Sequence, residues 1–466
     1  MTDMTQITST RLGGTVTQKL TRGITGAGVA SRVAVAALTL LAITACGEVA
    51  RLPISASFGP QPELPSPVSS LIPTTRVARA VDWPSGGTPT GRAGTTVRAF
   101  ARGLQHPRFL YTLPNGDVLV VETNAPDRPD DGRGIKGWFF RYFQKRGGGA
   151  APSADRVVLL RDTDGDGVAE TREVFLSGLH SPFGMTLVGH DLYVANSDAV
   201  MRFTYVDGAR SITTPGVELV ALPAGTLNHH WTKTIVASPD SATLYVSIGS
   251  NSNAAENGMD KEVDRAMIWA VNRITGAHRV FASGLRNAAG LTIEPTTGTL
   301  WAAVNERDEL GSDLVPDYMT AVHDGGFYGW PYSYFGPHVD TRVVPPRPDL
   351  VATAIVPDYA LGAHTASIGL IPSRGTTVPG VGDGMFIAQH GSWNRNPRSG
   401  YKVIFVPFTN GTPNGPPQDV LTGFLTTDHT AMGRPVGLTL DARGALLVAD
   451  DVGNTIWRVS RTLAHP

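Results

Sequence analysis

The chain has 466 residues, enough for two or three average domains or for one large all-β unit. Its 39 Lys and Arg residues nearly balance its 40 Asp and Glu residues, and the formal net charge of -1 argues against a nucleic-acid partner. The 53 glycines and 34 prolines favour many strands joined by tight turns over a helical bundle.

The first segment in chain order is typical of an export signal. Arg32 precedes the apolar run VAVAALTLLAITAC, which is shorter than the roughly 20 residues that a membrane span needs. The run ends in ITACG, which resembles the lipobox of bacterial lipoproteins. We therefore predict a signal peptide over residues 1–45 and a lipid on Cys46, so that the protein is exported to the cell envelope and held at the membrane. An ordinary signal peptide with an incidental cysteine is the alternative.

The next segment is rich in Pro and Ser and includes LPISASFGPQPELPSPVSSLIP. Such a composition predicts an extended tether, which we place at residues 46–80, ahead of a catalytic domain at residues 81–466. Cys46 is the one cysteine of the chain, so the exported body has no disulfide and depends on packing and metal binding.

One unit then recurs six times: a short loop, an apolar strand, a turn with Asp, Asn or Gly, and a second apolar strand. A unit that returns in this way is the signature of propeller blades around a central axis, and a sandwich would not explain it. The sequence therefore predicts an all-β fold, a six-bladed β-propeller. The copies are GLQHPRFLYTLPNGDVLVVET, GLHSPFGMTLVGHDLYVANS, LNHHWTKTIVASPDSATLYVSIGS, GLRNAAGLTIEPTTGTLWAAVNE, HTASIGLIP with GDGMFIAQHG, and MGRPVGLTLDARGALLVADD.

An acidic loop, DTDGDG followed by a glutamate, matches the pattern of a calcium-binding loop. Strand-like segments flank it, so we predict a calcium-stapled β-hairpin rather than a helix-flanked sensor, with a structural role. A solvated acidic turn is the alternative. The candidate ligands are Asp162, Asp164, Asp166, Val168 and Glu173.

The loops that precede the inner strands of a propeller face one axial funnel, and here they are rich in cations and imidazoles. The guanidinium group of Arg binds a carboxylate through two hydrogen bonds, and Lys supplies a point charge. This pattern therefore predicts a site for an anionic, polar, flat ligand. Each residue could instead satisfy carbonyls at the blade ends. The residues are Gln105, His106, Arg108, His180, His229, His230, Lys233, Arg286, Asn287, His364 and Arg434.

Four stretches in these loops resemble the pyrroloquinoline quinone (PQQ) dependent sugar dehydrogenases, especially the soluble aldose and L-sorbosone dehydrogenase-like branch. The resemblance runs from about Leu104 to Val459. The stretches are NHHWTKTIVASPD, FASGLRNAAGLTIEP, VNERDELGSDLVPDY with HDGGFYGWPYSYFG downstream, and AQHGSWNRNP. This resemblance implies an oxidoreductase that acts on a sugar or a related polyol or aldehyde, with PQQ and calcium as cofactors. A quinone or a cytochrome would accept the electrons.

The resemblance also implies roles for individual residues. Lys233 stands where the family often has Arg, and the Gly-Pro expected in the acidic loop near the cofactor calcium is missing. The implied cofactor-binding residues are Arg286, Asn287, Lys233, Arg434, Arg108, Asn394 and Arg395, and the implied ligands of the cofactor calcium are Glu306 and Asp308.

The resemblance further implies a histidine base, and both His229 and His230 are candidates. Neighbouring side chains on a strand point to opposite faces, so we predict that His229, four residues before Lys233, is the base and that His230 points to a blade interface or a backbone carbonyl. Counting back from Pro239 favours His230. Two other classes of function remain open for the chain: a calcium-dependent propeller hydrolase of the lactonase type, and a propeller that binds a partner without catalysis.

Overall fold

The computed structural model describes residues 48–68, 74–127 and 141–463. The predicted signal peptide and Cys46 lie outside these residues. In the described ranges no helix is both long and apolar enough to cross a membrane.

The described strands form a six-bladed β-propeller, as the sequence predicts, and each blade is an antiparallel sheet of four main strands. From the inner to the outer strand, blade 1 consists of Pro107–Thr112, Val118–Glu122, Arg156–Arg161 and Thr171–Leu176, and blade 2 of Met185–Val188, Asp191–Ala195, Ala199–Thr204 and Val217–Ala221. Blade 3 consists of Ile235–Ala237, Thr243–Ile248, Met267–Asn272 and His278–Ser283, and blade 4 of Ala288–Ile293, Leu300–Val304, Pro316–Ala321 and Tyr359–Ala363. Blade 5 consists of Ser367–Pro372, Gly384–Gln389, Lys402–Thr409 and Gln418–Thr422, and blade 6 of Pro435–Leu440, Leu446–Asp450, Thr455–Arg461 and Thr95–Arg102.

The core consists of apolar layers between neighbouring blades. In the second strand of blade 1, Val118 and Val120 pack toward blade 6, whereas Leu119 and Val121 pack toward blade 2. Successive strand side chains point to opposite faces, and both faces of each blade are covered. The second strands are therefore apolar at nearly every position instead of alternating with polar residues.

Blade 6 is closed by a strand from the beginning of the domain. Thr95–Arg102 pairs antiparallel with Thr455–Arg461, and Thr95 lies opposite Arg461. Its backbone hydrogen bonds and the layer between blades 6 and 1 hold the ring together, without any disulfide.

Smaller elements lie at the edges of the blades. Two 3₁₀-helices, Ile54–Ser57 and Met259–Glu262, and one short α-helix, Pro348–Val351, lie in connections, and residues 141–146 are helical. The additional strands are Phe58–Gly59, Thr90–Gly91, Gly326–Phe327, Ser333–Tyr334, His338–Val339 and Thr412–Pro413.

The N-terminal residues contact the propeller, although the sequence predicts a tether here. Phe58–Gly59 pairs with the outer strand of blade 4. A carboxylate oxygen of Glu48 accepts a hydrogen bond from the backbone N–H of Ser312 at 2.8 Å, and the backbone N–H of Arg51 donates to Asp313 at 2.6 Å. The described part of this segment is therefore packed against the blades, because its main-chain groups find partners there.

Candidate functional site

The loops that enter the inner strands, and those that join second to third strands, lie on one side of the ring, which we call the funnel face. The inner strands run from this face along the axis and line a cavity of about 210 Å³. Its walls include Arg108, Thr186, Thr234, Thr292 and Thr439, one residue from each of five blades.

The two adjacent histidines lie in a loop and not in a strand, since the inner strand of blade 3 begins only at Ile235. The alternation that would place His229 with Lys233 therefore does not apply. The two rings contact each other edge to face with their centroids 4.8 Å apart. Both side chains are half-buried.

The contacts of His230 determine its tautomer. Its Nδ1 lies 2.9 Å from the Ser250 carbonyl oxygen and 2.9 Å from the Ser250 Oγ. That hydroxyl donates its own hydrogen to the Ser252 carbonyl at 2.7 Å, so both neighbours of Nδ1 act as acceptors. Nδ1 must therefore carry the proton, and in the neutral ring Nε2 carries the lone pair.

The buried carboxylate of Glu262 stabilises the loop that carries Ser250 and Ser252. Glu262 accepts hydrogen bonds from the Ser252 hydroxyl and from the backbone N–H of Asn251, the latter at 2.8 Å. Burial raises the pKa of Glu262. Ser250, Ser252 and Glu262 were not predicted from the sequence, because no pattern within a single loop shows which histidine that loop supports.

Asn287 converges on the same point as His230. A Cβ added at Gly249 would lie 2.5 Å from the Cβ of His230 and 2.7 Å from the Asn287 Oδ1. Glycine is therefore required between them, and its absent side chain allows the histidine and the amide to approach each other.

Lys233 is buried beneath this loop. Its Nζ donates a hydrogen bond to the Trp231 carbonyl at 3.2 Å. Burial holds the pKa of Lys233 well below its usual range, and the neighbouring Arg265 guanidinium lowers it further. Burial therefore makes Lys233 less available as the point charge that the sequence predicts for a ligand.

Arg286 ties two loops together. Its Nε and Nη2 donate to the carbonyl and side-chain oxygens of Asn253, and its Nη1 donates to the carbonyls of Asn305 and Glu306, all within 3.1 Å. The Asp308 carboxylate lies 3.7 Å away. Protein acceptors thus occupy the fork that the resemblance assigned to the cofactor, so Arg286 contributes loop position and charge.

The buried carboxylate of Asp451, after the second strand of blade 6, contacts an arginine and two histidines that come from blades 1 and 5. Arg108 donates to Asp451 at 2.9 Å, His390 Nε2 lies 3.0 Å from the same oxygen, and His106 Nδ1 lies 3.0 Å from the Asp451 carbonyl. Burial alone would raise the pKa of Asp451, but the three neighbours outweigh burial and hold it far below its usual range. Burial lowers the pKa of His106 to about 4.

Two arginines in this cluster keep unused donors. Arg108 bonds Asp451 through Nη1, and Arg434 bonds the carbonyls of His390 and Gly391 through Nη1. Among the described residues, the Nε atoms of both arginines are buried without a hydrogen-bond partner. Buried donors are seldom left unsatisfied, and the Nε edge of a guanidinium matches a carboxylate. The arrangement thus fits an anionic ligand in the funnel.

Asn394 and Arg395 contact the N-terminal segment, and in the described ranges the Arg395 Nε, like those of Arg108 and Arg434, is buried without a hydrogen-bond partner. The Asn394 amide donates to the Thr74 carbonyl and accepts from the backbone N–H of Glu309. The Nη atoms of Arg395 donate to the carbonyls of Pro397 and Leu52. These bonds anchor the segment at Thr74 and Leu52, and a role of Asn394 and Arg395 in holding a cofactor carboxylate stays a prediction.

Glu306 and Asp308 face cations. One oxygen of Glu306 accepts from Arg307 at 3.1 Å, and Asp308 lies 3.2 Å from His364 Nδ1. In the part of the chain that the structure describes, neither belongs to a group of metal-ligating side chains. Among the described residues, the other oxygen of Glu306 is buried without a hydrogen-bond partner, so a calcium beside the cofactor stays a prediction.

The acidic loop does assemble such a group, with one correction to the prediction. The carboxylates of Asp162, Asp164, Asp166 and Glu170 supply ligand atoms within 4.8 Å of one another. Glu173 lies instead in the outer strand of blade 1 and pairs with Arg210. The strand begins at Thr171, two residues before Glu173, so the twelfth position of the pattern already lies in the strand. Val168 lies in the loop, and its backbone N–H donates to Asp166 at 2.8 Å.

Comparison with known proteins gives a consistent result. The TrAA12-like family model matches residues 89–324 and 351–462. A Borreliella burgdorferi protein described as uncharacterised is 28% identical over 63% of this chain and 79% of its own length. The pyrroloquinoline quinone-dependent pyranose dehydrogenase of Coprinopsis cinerea is 24% identical over 79% of this chain, and the match spans 54% of its length, about half.

Solved structures show the same fold. The carbohydrate-active enzyme of family AA12 from Trichoderma reesei superimposes with a TM-score of 0.65 at 20% identity, over 85% of this chain and 100% of that one. The fold is thus shared at a level of identity that leaves the individual side chains to be judged from their own geometry.

Proposed function

The chain belongs to the TrAA12-like family of PQQ-dependent sugar dehydrogenases, and from this premise we propose that it oxidises a sugar or a related polyol or aldehyde with PQQ as cofactor. The observation that carries the proposal is the pair of buried, unpartnered Nε atoms of Arg108 and Arg434 in the funnel. PQQ has three carboxylates, and a guanidinium fork is the side chain best suited to bind one.

We assign each of these residues a separate task. Arg108 and Arg434 would hold carboxylates of the cofactor, and Asn287, beside His230, would orient its polar edge. When bound, PQQ supplies the quinone that accepts hydride from the substrate carbon.

His230 is the general base in this proposal. Its Nε2 takes the proton of the substrate hydroxyl, because Nδ1 is already committed to Ser250. Ser250 offers neutral oxygens and no carboxylate, so it orients the ring without adding a negative charge that would stabilise the protonated form.

Calcium belongs, in our proposal, to the acidic loop. Asp162, Asp164, Asp166 and Glu170 offer oxygen ligands of the kind that calcium prefers. The loop joins the third and outer strands of blade 1, on the side of the ring away from the funnel, so the ion would stabilise the fold and take no part in the reaction.

The test of the function uses the purified chain with calcium, with and without PQQ. We expect reduction of an artificial dye to require both PQQ and a sugar, and a panel of aldoses, L-sorbosone and polyols would identify the substrate. Absence of dye reduction with every sugar, despite demonstrated PQQ binding, would contradict the proposal. Hydrolysis of a lactone without PQQ would indicate the hydrolase class instead.

We further propose that the protein is a lipoprotein of the cell envelope. The support is the ITACG motif after a short apolar run. Detergent partitioning of the chain expressed in a bacterium should place the wild type in the detergent phase and the Cys46→Ser variant in the aqueous phase. Identical partitioning of the two would contradict lipidation.

A further inference from the structure

We propose that one sector of the funnel face, which we call the basic rim, binds the surface of an anionic lipid bilayer. This inference goes beyond the proposed oxidation and does not depend on it. The basic rim consists of five cations, Arg76, Arg79, Lys145, Arg146 and Arg398.

The basic rim is one continuous surface, because hydrogen bonds join its three segments. The backbone N–H of Arg76 donates to the Trp393 carbonyl at 2.7 Å, and Arg398 Nε donates to the Arg76 carbonyl at 2.6 Å. The backbone N–H of Ala80 donates to the Arg146 carbonyl at 2.9 Å. The three segments therefore meet above blades 5, 6 and 1.

The cations of the basic rim lack acidic partners. Within the described ranges, no carboxylate pairs with any of the five, and four of them are exposed. Exposed arginines elsewhere, such as Arg279 and Arg347, each face a carboxylate at 2.6 Å. Burial lowers the pKa of Arg398, and the nearby guanidinium groups of Arg76, Arg434 and Arg146 lower it further. Cations held together without counter-charges favour an external anion.

Aromatic side chains accompany these cations. Trp393 is 40% exposed and Tyr142, on the same helical segment as Arg146, is 50% exposed. Tryptophan and tyrosine beside Lys and Arg are the residues that settle at the boundary between lipid headgroups and acyl chains. A partner that binds only through charge would not account for the exposure of the Trp393 and Tyr142 rings.

The position of the N-terminal segment favours a bilayer over an acidic protein. Glu48 lies on the funnel face against Ser312, two residues after the cysteine that we predict to be lipidated. A lipid there and the basic rim would act on the same side of the molecule, and two such signals give stable attachment where one gives only marginal binding.

The experiment uses the full chain with Cys46→Ser, so that the protein surface alone is measured. Cosedimentation is compared between vesicles of phosphatidylcholine and vesicles of phosphatidylcholine with phosphatidylglycerol. Each Lys or Arg near an anionic surface strengthens binding roughly fivefold, so Arg76→Gln, Arg146→Gln and Arg398→Gln together should weaken it roughly a hundredfold. Trp393→Ser should weaken binding further in either background.

The matched control removes three charges elsewhere: Arg98→Gln and Arg279→Gln on outer strands, and Arg374→Gln in a turn on the side opposite the funnel. It should bind phosphatidylglycerol vesicles as the parent does, and thermal melting should show that both triple variants are folded. Failure of the parent to bind phosphatidylglycerol vesicles, equal loss in the control, or equal binding to both vesicle types would each overturn the proposal. Association of the rim with an acidic protein in place of vesicles would overturn it as well.

Discussion

Two single glutamate substitutions in blade 1 distinguish the two possible sets of calcium ligands, one with Glu170 and one with Glu173. Glu170→Gln removes a carboxylate that lies with Asp162, Asp164 and Asp166, whereas Glu173→Gln removes one that pairs with Arg210 in the neighbouring strand. We expect calcium to raise the thermal midpoint of the wild type and of Glu173→Gln equally, and that of Glu170→Gln much less.

The size of the effect follows from mass action. Calcium at a hundredfold excess over its Kd stabilises the folded state by about 2.7 kcal/mol. With an unfolding entropy of about 2.1 cal/mol/K per residue over roughly 400 residues, this corresponds to a rise in Tm of about 3 °C. The Glu173 change itself costs at most about 1 kcal/mol, because its ion pair with Arg210 is exposed, and it does not alter the response to calcium.

Differential scanning calorimetry of the three proteins, with calcium and with a chelator, measures this difference. A wild-type response in Glu170→Gln, or a lost response in Glu173→Gln, would refute the reasoning and restore the twelve-residue spacing that the sequence suggested.

Three further predictions concern the funnel. His230→Gln should lower PQQ-dependent dye reduction about 10²–10⁴-fold while His229→Gln keeps most of it, and the reverse order would contradict the tautomer argument. Arg434→Gln should raise the Kd for PQQ, measured by absorbance titration, roughly 10- to 100-fold, since a charged hydrogen bond contributes about 1.5–3 kcal/mol; Arg374→Gln, on the side opposite the funnel, should leave the Kd unchanged, and equal effects would count against our assignment. Burial lowers the pKa of His106 from 6.5 to about 4, so the unfolded chain binds more protons between these values and stability falls as pH decreases through that window; urea denaturation should show a flatter pH dependence for His106→Asn, and an unchanged slope would refute this.

The fold was predictable because each blade repeats one local sequence unit, a loop, a strand, a turn and a second strand. GLRNAAGLTIEPTTGTLWAAVNE, for example, forms the first two strands of blade 4, Ala288–Ile293 and Leu300–Val304. The turn glycines and the apolar strands that cause this lie within one stretch of sequence. The outer strand of blade 6, Thr95–Arg102, was not predictable in this way, since its partner lies at the other end of the domain.

The site was predicted as a collection of residue types but not as a set of contacts. The funnel loops, the cations and the two histidines were found from their position before each inner strand. The pairing of Arg108 with the carboxylate of Asp451 was not predicted. Asp451, His390 and His106 come from three blades and share no local pattern. The error at Glu173 has a similar cause: a spacing typical of helix-flanked loops was applied to a loop that a strand ends early.

The way in which blade 6 closes also sets an order of events in time. The ribosome makes Thr95–Arg102 near the start of the domain and its partner Thr455–Arg461 only near the end. Until then, the layer that includes Phe100 and Ile456 cannot form between blades 6 and 1. Contacts so distant in sequence form slowly. Thr95–Arg102 therefore lacks its partner strand, Thr455–Arg461, until most of the domain has been translated. A nascent chain that stops before residue 455 has made five complete blades and still has an open ring, so the closing strand Thr455–Arg461 decides whether the earlier blades form a closed propeller.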